Sequence, residues 1–176
     1  MRWTLLLIVA LPTVGFAQDT SAVEKWGPVS VLIGTWEGTG IGRWGTSKVF
    51  REYAHLMGGT YIIGKNRSEH ERQQVNPGGE THDNWDIFSY DRRRAKYVLR
   101  QFHAEDITNT YGLASTKLAR GVCECESEAI ENLREGWRAE EVYMILSEDE
   151  FVEIFLLSAP GEEFQEYVRN TFHRSE

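Results

Sequence analysis

Along most of the chain, apolar and polar residues alternate with the two-residue period of a half-buried β-strand, in short runs separated by turn-forming residues. The pattern predicts strands at 35–43, 48–56, 60–70, 82–90, 96–104, 106–116, 118–126, 134–146, 151–158 and 164–173. Gly58-Gly59, Asn76-Pro77-Gly78-Gly79, Asp91-Arg92-Arg93-Arg94, Ser147-Glu148-Asp149-Glu150 and Pro160-Gly161 read as turns between them. No stretch between turns has room for the crossover helix that parallel pairing needs, so the strands should form an antiparallel meander. Closing about ten such strands into a barrel removes the exposed edges of an open sheet. Helical signals are confined to Pro28–Ile33, where a proline opens a short turn and Gly34 stops it. The expectation is an all-β protein: one antiparallel meander β-barrel over residues 28–176 with a short N-terminal helical turn.

The two faces of the later strands differ in informative ways. In 151–158, Val152, Ile154 and Leu156 share one face, while Phe151 and Phe155 flank Glu153 on the other. In the last strand Phe164, Val168 and Phe172 lie opposite Tyr167, Arg169, Thr171 and His173. Strand 96–104 is mixed on both sides, with Tyr97, Leu99, Gln101 and His103 against Val98, Arg100, Phe102 and Ala104. Such a face suits a wet ligand cavity or a marginal outer surface, and a barrel of this size can be hollow or filled by side chains.

The N-terminus has a different pattern. Arg2, the apolar run Leu5–Leu11 and the small residues of Gly15-Phe16-Ala17 form the profile of a secretory signal peptide cleaved after Ala17. The run is too short for a membrane-spanning helix. Residues 18–27 are polar and read as a flexible segment. The expected destination is therefore periplasmic or secreted. A formal charge of −8 and a pI near 5.2 argue against binding to a nucleic-acid backbone.

Chemistry is sparse. Cys123 and Cys125 alternate with Glu124, so both sulfurs project from one strand face about 7 Å apart, at the outer limit for an unstrained bridge. They read as small buried strand residues, with a redox or soft-metal pair as the functional alternative. The five histidines, His55, His70, His82, His103 and His173, contain no His-x-x-x-His spacing. A zinc site assembled across strands, for example from His55, His82 and His103, would have no local signature, so no metal ligands are assigned. His103-Ala104-Glu105-Asp106 falls at an expected turn and reads as a solvated cluster. No Gly-x-Ser-x-Gly elbow is present, and neighbouring carboxylates such as Glu140-Glu141 point to opposite strand faces; no catalytic residues are assigned. The acidic run Glu124–Glu131 reads as a solvated hairpin end.

Gly34-Thr35-Trp36-Glu37-Gly38-Thr39-Gly40, directly after a helical turn, resembles the Gly-x-Trp start of the calycin superfamily of lipocalins and fatty-acid-binding proteins. The fuller Gly-x-Trp-x-Gly-x-Gly pattern resembles nitrobindin-type haem-binding barrels. Met57-Gly58-Gly59-Thr60-Tyr61, Ser89-Tyr90-Asp91 and Lys96-Tyr97-Val98 are similar to a bacterial family of secreted calycin-like barrels. The resemblance implies that Gly34, Trp36, Gly38 and Gly40 form a barrel-closing motif. An arginine of the last strand, Arg169 or Arg174, would then pack over Trp36. The nitrobindin resemblance implies haem as a cofactor, with His173 as the positional counterpart of the axial ligand. Fatty-acid-binding proteins hold a carboxylate with Arg-x-Tyr on the last strand; here that motif occurs instead at Arg51-Glu52-Tyr53. An acid-binding site could be built instead from Arg100, the neighbouring His103 and Tyr61, because a buried arginine must find an anion or several carbonyls. The alternative is an outward arginine paired with Glu105 or Asp106. With Tyr53 these are the candidate ligand-binding residues.

Together these features point to a secreted barrel carrying a small apolar ligand such as a lipid or fatty acid. The alternatives are a haem-binding barrel with reactive-nitrogen chemistry, and a filled barrel acting as an interaction or stress-response module. Protein partners have no signature in the sequence.

Overall fold

The structure, a computed structural model, describes residues 25–113 and 121–175. The expected signal peptide at 1–17, most of the 18–27 segment and the facing ends of the strands expected at 106–116 and 118–126 lie outside these residues. Ten antiparallel strands close into a barrel in which each strand pairs with its sequence neighbours and β1 pairs with β10. They are β1 (Gly34–Gly42), β2 (Gly45–Leu56), β3 (Tyr61–His70), β4 (Glu80–Asp91), β5 (Lys96–His103), β6 (Thr108–Leu113), β7 (Val122–Glu131), β8 (Arg138–Ile145), β9 (Glu150–Ser158) and β10 (Gln165–Arg174). One short 3₁₀ turn, Gly27–Leu32, precedes them. No helix among the described residues is long and apolar enough to cross a membrane.

The largest departure from the expected strand map is the acidic run, which lies within β7 rather than at a hairpin end. Cys123 and Cys125 face inward and are buried, with free thiols. Outside, Glu126 pairs with Arg138, and Glu128 with Arg94 and Lys96. Neighbouring cations thus let a carboxylate-rich segment remain a strand. The actual turn falls at 132–137, where Asn132 and Gly136 adopt positive φ.

The N-terminal turn plugs one end of the barrel. Trp26, Val29 and Leu32 are buried against the interior, so Trp26, within the segment read as flexible, is part of the core. Trp26 donates its indole N–H to the Gly59 carbonyl at 2.9 Å, and Trp36 donates to Leu32 at 2.7 Å. Trp36 also packs edge-on against Phe151, which stacks on Phe172. Arg174, not Arg169, covers Trp36, with its guanidinium 4.1 Å from the ring centroid. It also donates to the carbonyls of Val31, Ile33 and Glu148, joining the plug to the β8–β9 hairpin. Strand parity decides between the two arginines. Asn170, Phe172 and Arg174 share the inward face, whereas Arg169 points out and pairs with Glu166.

The inward face of β1 reads Gly34, Trp36, Gly38, Gly40, Gly42. A Cβ on Gly38 would collide with the Thr171 carbonyl, so this glycine is what lets β10 approach. Toward Gly42 no side chain from β1 enters the barrel, and the interior there is hollow.

Trp36→Ala should cost about 3–5 kcal/mol of unfolding free energy, because the ring lies at the centre of the packed end. Urea denaturation measures this; a loss below about 1 kcal/mol would show that the plug closes without it.

A polar cavity at the open end

The hollow half is a cavity of about 400 Å³ opening away from the plug. Its mouth is formed at the β1–β2, β3–β4, β5–β6, β7–β8 and β9–β10 connections, the hairpins at the end opposite the N-terminal turn. Apolar side chains form much of the rim, including Trp44, Ile107, Leu133, Leu157 and Val168. Trp44 donates to the Tyr167 hydroxyl across the β1–β10 side of the mouth at 2.7 Å.

The floor is polar. Arg51 and Glu153, each about 5% exposed at the side chain, form an ion pair at 2.8 Å. Asn170 donates to the same Glu153 oxygen at 2.8 Å. Across the barrel Gln101 donates to Glu141 at 3.1 Å. Beneath this layer Asp86 accepts from Tyr53 at 3.2 Å and from Asn84 at 3.0 Å. One guanidinium and three carboxylates therefore share this part of the interior. Burial pulls the Arg51 pKa down, but the charge of Glu153, helped by Tyr53, Asp86 and the Glu153 hydrogen bond, outweighs it and the net shift is upward. Burial and then the Glu153 charge push the Glu141 carboxyl well above its usual range, and the same two causes raise Asp86 from 3.8 to about 6. Several floor atoms are buried without a protein partner: Arg51 Nε, Gln101 Oε1, Glu141 Oε2 and Asn170 Oδ1. These are the groups a bound molecule could satisfy.

Of the candidate ligand residues, the barrel brings two to its polar interior. His103 lines the cavity, and Tyr53 lies buried below it. Burial, then neighbouring His82, pushes the His103 pKa down to about 4, so the imidazole is neutral near pH 7. Arg100 alternates with inward Leu99 and Gln101, points to solvent and donates to Ser89. Tyr61 alternates with inward Ile62 at the plugged end, away from the cavity. His173 is exposed opposite Glu37 on the outer wall, because inward Phe172 and Arg174 flank it. It cannot reach a haem held inside the barrel. The Arg51-x-Tyr53 pair does face inward, but its guanidinium is already matched by Glu153. Among the histidines of the proposed cross-strand set, His82 and His103 meet at the rim and His55 is exposed on β2.

Glu153, Glu141, Gln101 and Asn170 belong to no functional motif in the sequence, and Arg51 only to the Arg-x-Tyr pair. Their available signal was a charged or amide residue in mid-strand on the same face as large apolar ones, as in Phe151-x-Glu153-x-Phe155. Only cross-strand register shows that these positions converge.

The fold is similar to that of Rv2717c from M. tuberculosis, with a TM-score of 0.61 and 20% identity, covering 88% of this chain and 98% of that one. A redesigned β-barrel overlaps more loosely, with a TM-score of 0.43 and 11% identity over 85% of this chain and 96% of the designed one. At these identities the likeness is one of fold. No family model and no curated protein matches the sequence.

Two outcomes follow from the floor. Arg51→Met should destabilise by about 3–5 kcal/mol by leaving Glu153 buried and uncompensated, and Arg51→Met/Glu153→Leu should recover most of that loss. Equal destabilisation of the single and double variants in urea would refute the pairing. Asp86 gives a signed pH effect. Because its folded pKa is raised from 3.8 to about 6, the folded state retains a proton that the unfolded state has released across this window. Stability therefore falls as pH rises from about 4 to about 6, by roughly 3 kcal/mol from this group, and the full penalty remains above it. Asp86→Asn should flatten that slope relative to the unmodified protein in urea titrations between pH 4 and 7. An unchanged slope would remove Asp86 as its source.

Proposed function

We propose that this barrel is a small-molecule-binding protein whose ligand enters with a hydrogen-bonding head toward the floor and its apolar part against the rim. The carrying observation is the half-hollow interior, about 400 Å³ of cavity above buried polar atoms that lack protein partners. The head-group chemistry follows from those atoms. Because Gln101 and Asn170 donate their amide N–H groups to carboxylates, their carbonyl oxygens remain as unpartnered acceptors. An amide, amine or hydroxyl head would match them.

This differs from the lipid expected from the sequence. A fatty-acid carboxylate placed head-first would meet the Glu153 charge, while Arg51 is already neutralised. An alkyl tail placed first would desolvate the polar floor without replacing its hydrogen bonds. The rim still supplies apolar contact, so an amphipathic molecule fits better than a purely polar one. The resemblance of Gly34-x-Trp36-x-Gly38-x-Gly40 to calycin barrels supports a binding role. The Arg2 to Ala17 pattern supports action in the periplasm or outside the cell.

Native and denaturing mass spectrometry of the protein secreted by its own signal tests this reading. The expected result is a small noncovalent adduct, lost on denaturation, whose fragments contain a hydrogen-bond-donating head. Glu141→Gln and Asn170→Leu should each weaken its retention about tenfold, the scale of an unpaired buried polar group. A bare native mass, or an adduct indifferent to both substitutions, would count against a ligand seated on this floor.

A further inference from the structure

We propose that His82, His103 and Glu105 form a site for a divalent transition-metal ion of the zinc class at the rim of the cavity. One nitrogen of each histidine and one carboxylate oxygen of Glu105 lie within 4.8 Å of one another. His82 Nε2 and His103 Nδ1 face each other at 3.2 Å. Two imidazole nitrogens at ~2.0–2.1 Å from a tetrahedral zinc ion are about 3.3 Å apart, so these atoms already have the spacing of two ligands sharing one metal.

The surrounding contacts orient both rings. One assignment of hydrogens satisfies the set: Asn109 donates to His103 Nε2 at 3.2 Å, His103 Nδ1–H donates to His82 Nε2, and His82 Nδ1–H donates to Glu105 at 2.7 Å. Metal entry needs the lone pair on His103 Nδ1. A shift of the His103 proton to Nε2, with the Asn109 amide turned to accept it, provides that lone pair without releasing a proton. Glu105 sits on the β5–β6 turn with its side chain half-exposed, so its carboxylate can close toward the ion. The alternative is to remain on His82 Nδ1, the carboxylate–histidine arrangement that orients metal-bound imidazoles.

With Glu105 closed onto the ion, three protein ligands leave a tetrahedral ion one position open. His82, His103 and Glu105 all line the cavity, so a donor atom from the cavity could occupy it. His70 and Glu80 also line this rim. The strands explain why the chemistry is assembled only on folding: His82 lies on β4 and His103 on β5, where Asn84 pairs with His103 in register. The site is independent of the proposed ligand on the floor, and its test needs only metal.

The full chain, stripped with chelator, would be titrated with Zn²⁺ by calorimetry and with Co²⁺ by visible absorption. The expected result is one equivalent bound and a Co²⁺ spectrum without thiolate charge transfer. His82→Gln and His103→Gln should each weaken binding about tenfold or more, and Glu105→Gln should weaken it by a smaller factor of the same sign. Far-ultraviolet circular dichroism would establish that each variant is folded. His82→Gln is the decisive variant because that ring is half-exposed and its loss should leave the barrel intact. Absence of stoichiometric binding, binding unchanged in the folded His82→Gln protein, or a thiolate signature from Cys123 or Cys125 would each overturn the assignment.

Discussion

The inward face of β1 sets how the barrel interior is divided. Closing the sheet brings β1 against β10 along its length, and β1 contributes one large side chain to the interior, Trp36. Around that ring the packed end is built from Phe151, Phe172, the N-terminal turn and the Arg174 guanidinium. Beyond it Gly38, Gly40 and Gly42 add no side-chain volume. A barrel closed and packed throughout would be inert to small molecules; one hollow throughout would lack a core. Glycine spacing on one strand separates a packed half from a hollow half along the barrel axis.

The boundary between filled and hollow halves is electrostatic. Arg51, Glu153 and Asn170 form a connected unit, and Glu141 and Asp86 lie in the same low-dielectric interior with raised pKa values. Such an arrangement contributes little net stability, since desolvation offsets much of the attraction between charges. Its physical consequence is orientation: buried amides and carboxylates hold one another in place and leave defined lone pairs and an N–H without a protein partner in the layer beneath the cavity. That pre-arrangement is the physical basis of the proposed binding role.

The rim joins elements far apart in sequence. The hairpins at the open end bring the β1–β2 turn beside β10, through Trp44 and Tyr167, and the β5–β6 turn beside β4, through Glu105 and His82. Turns are where a barrel can vary without disturbing its ladder, so polar side chains at the rim can serve chemistry with little effect on the core. The polar floor and the histidine-containing rim face one cavity, which relates the proposed ligand and the proposed metal physically without making either depend on the other.

The alternating pattern was enough to read ten antiparallel strands and their closure, because strand period, turn residues and the absence of crossover helices are local properties. The Gly-x-Trp-x-Gly-x-Gly start carried the closing role of Trp36 for the same reason. Where local signals misled, a longer-range partner was responsible. Carboxylates of the β7 run look like a solvated turn until Arg94, Lys96 and Arg138 from other parts of the chain pair with them. Arg169 and Arg174 lie five residues apart on one strand, and only inward parity beside Trp36 selects Arg174. His103 and Tyr53 could be picked out as residue types, but Arg51, Glu141, Glu153 and Asn170 become a floor only through cross-strand register. The sequence by itself determined the antiparallel strands, their order and the closing role of Trp36. The tertiary structure decided which polar side chains meet inside the barrel, because closure brings together residues a hundred or more positions apart, as it does Arg51 and Glu153.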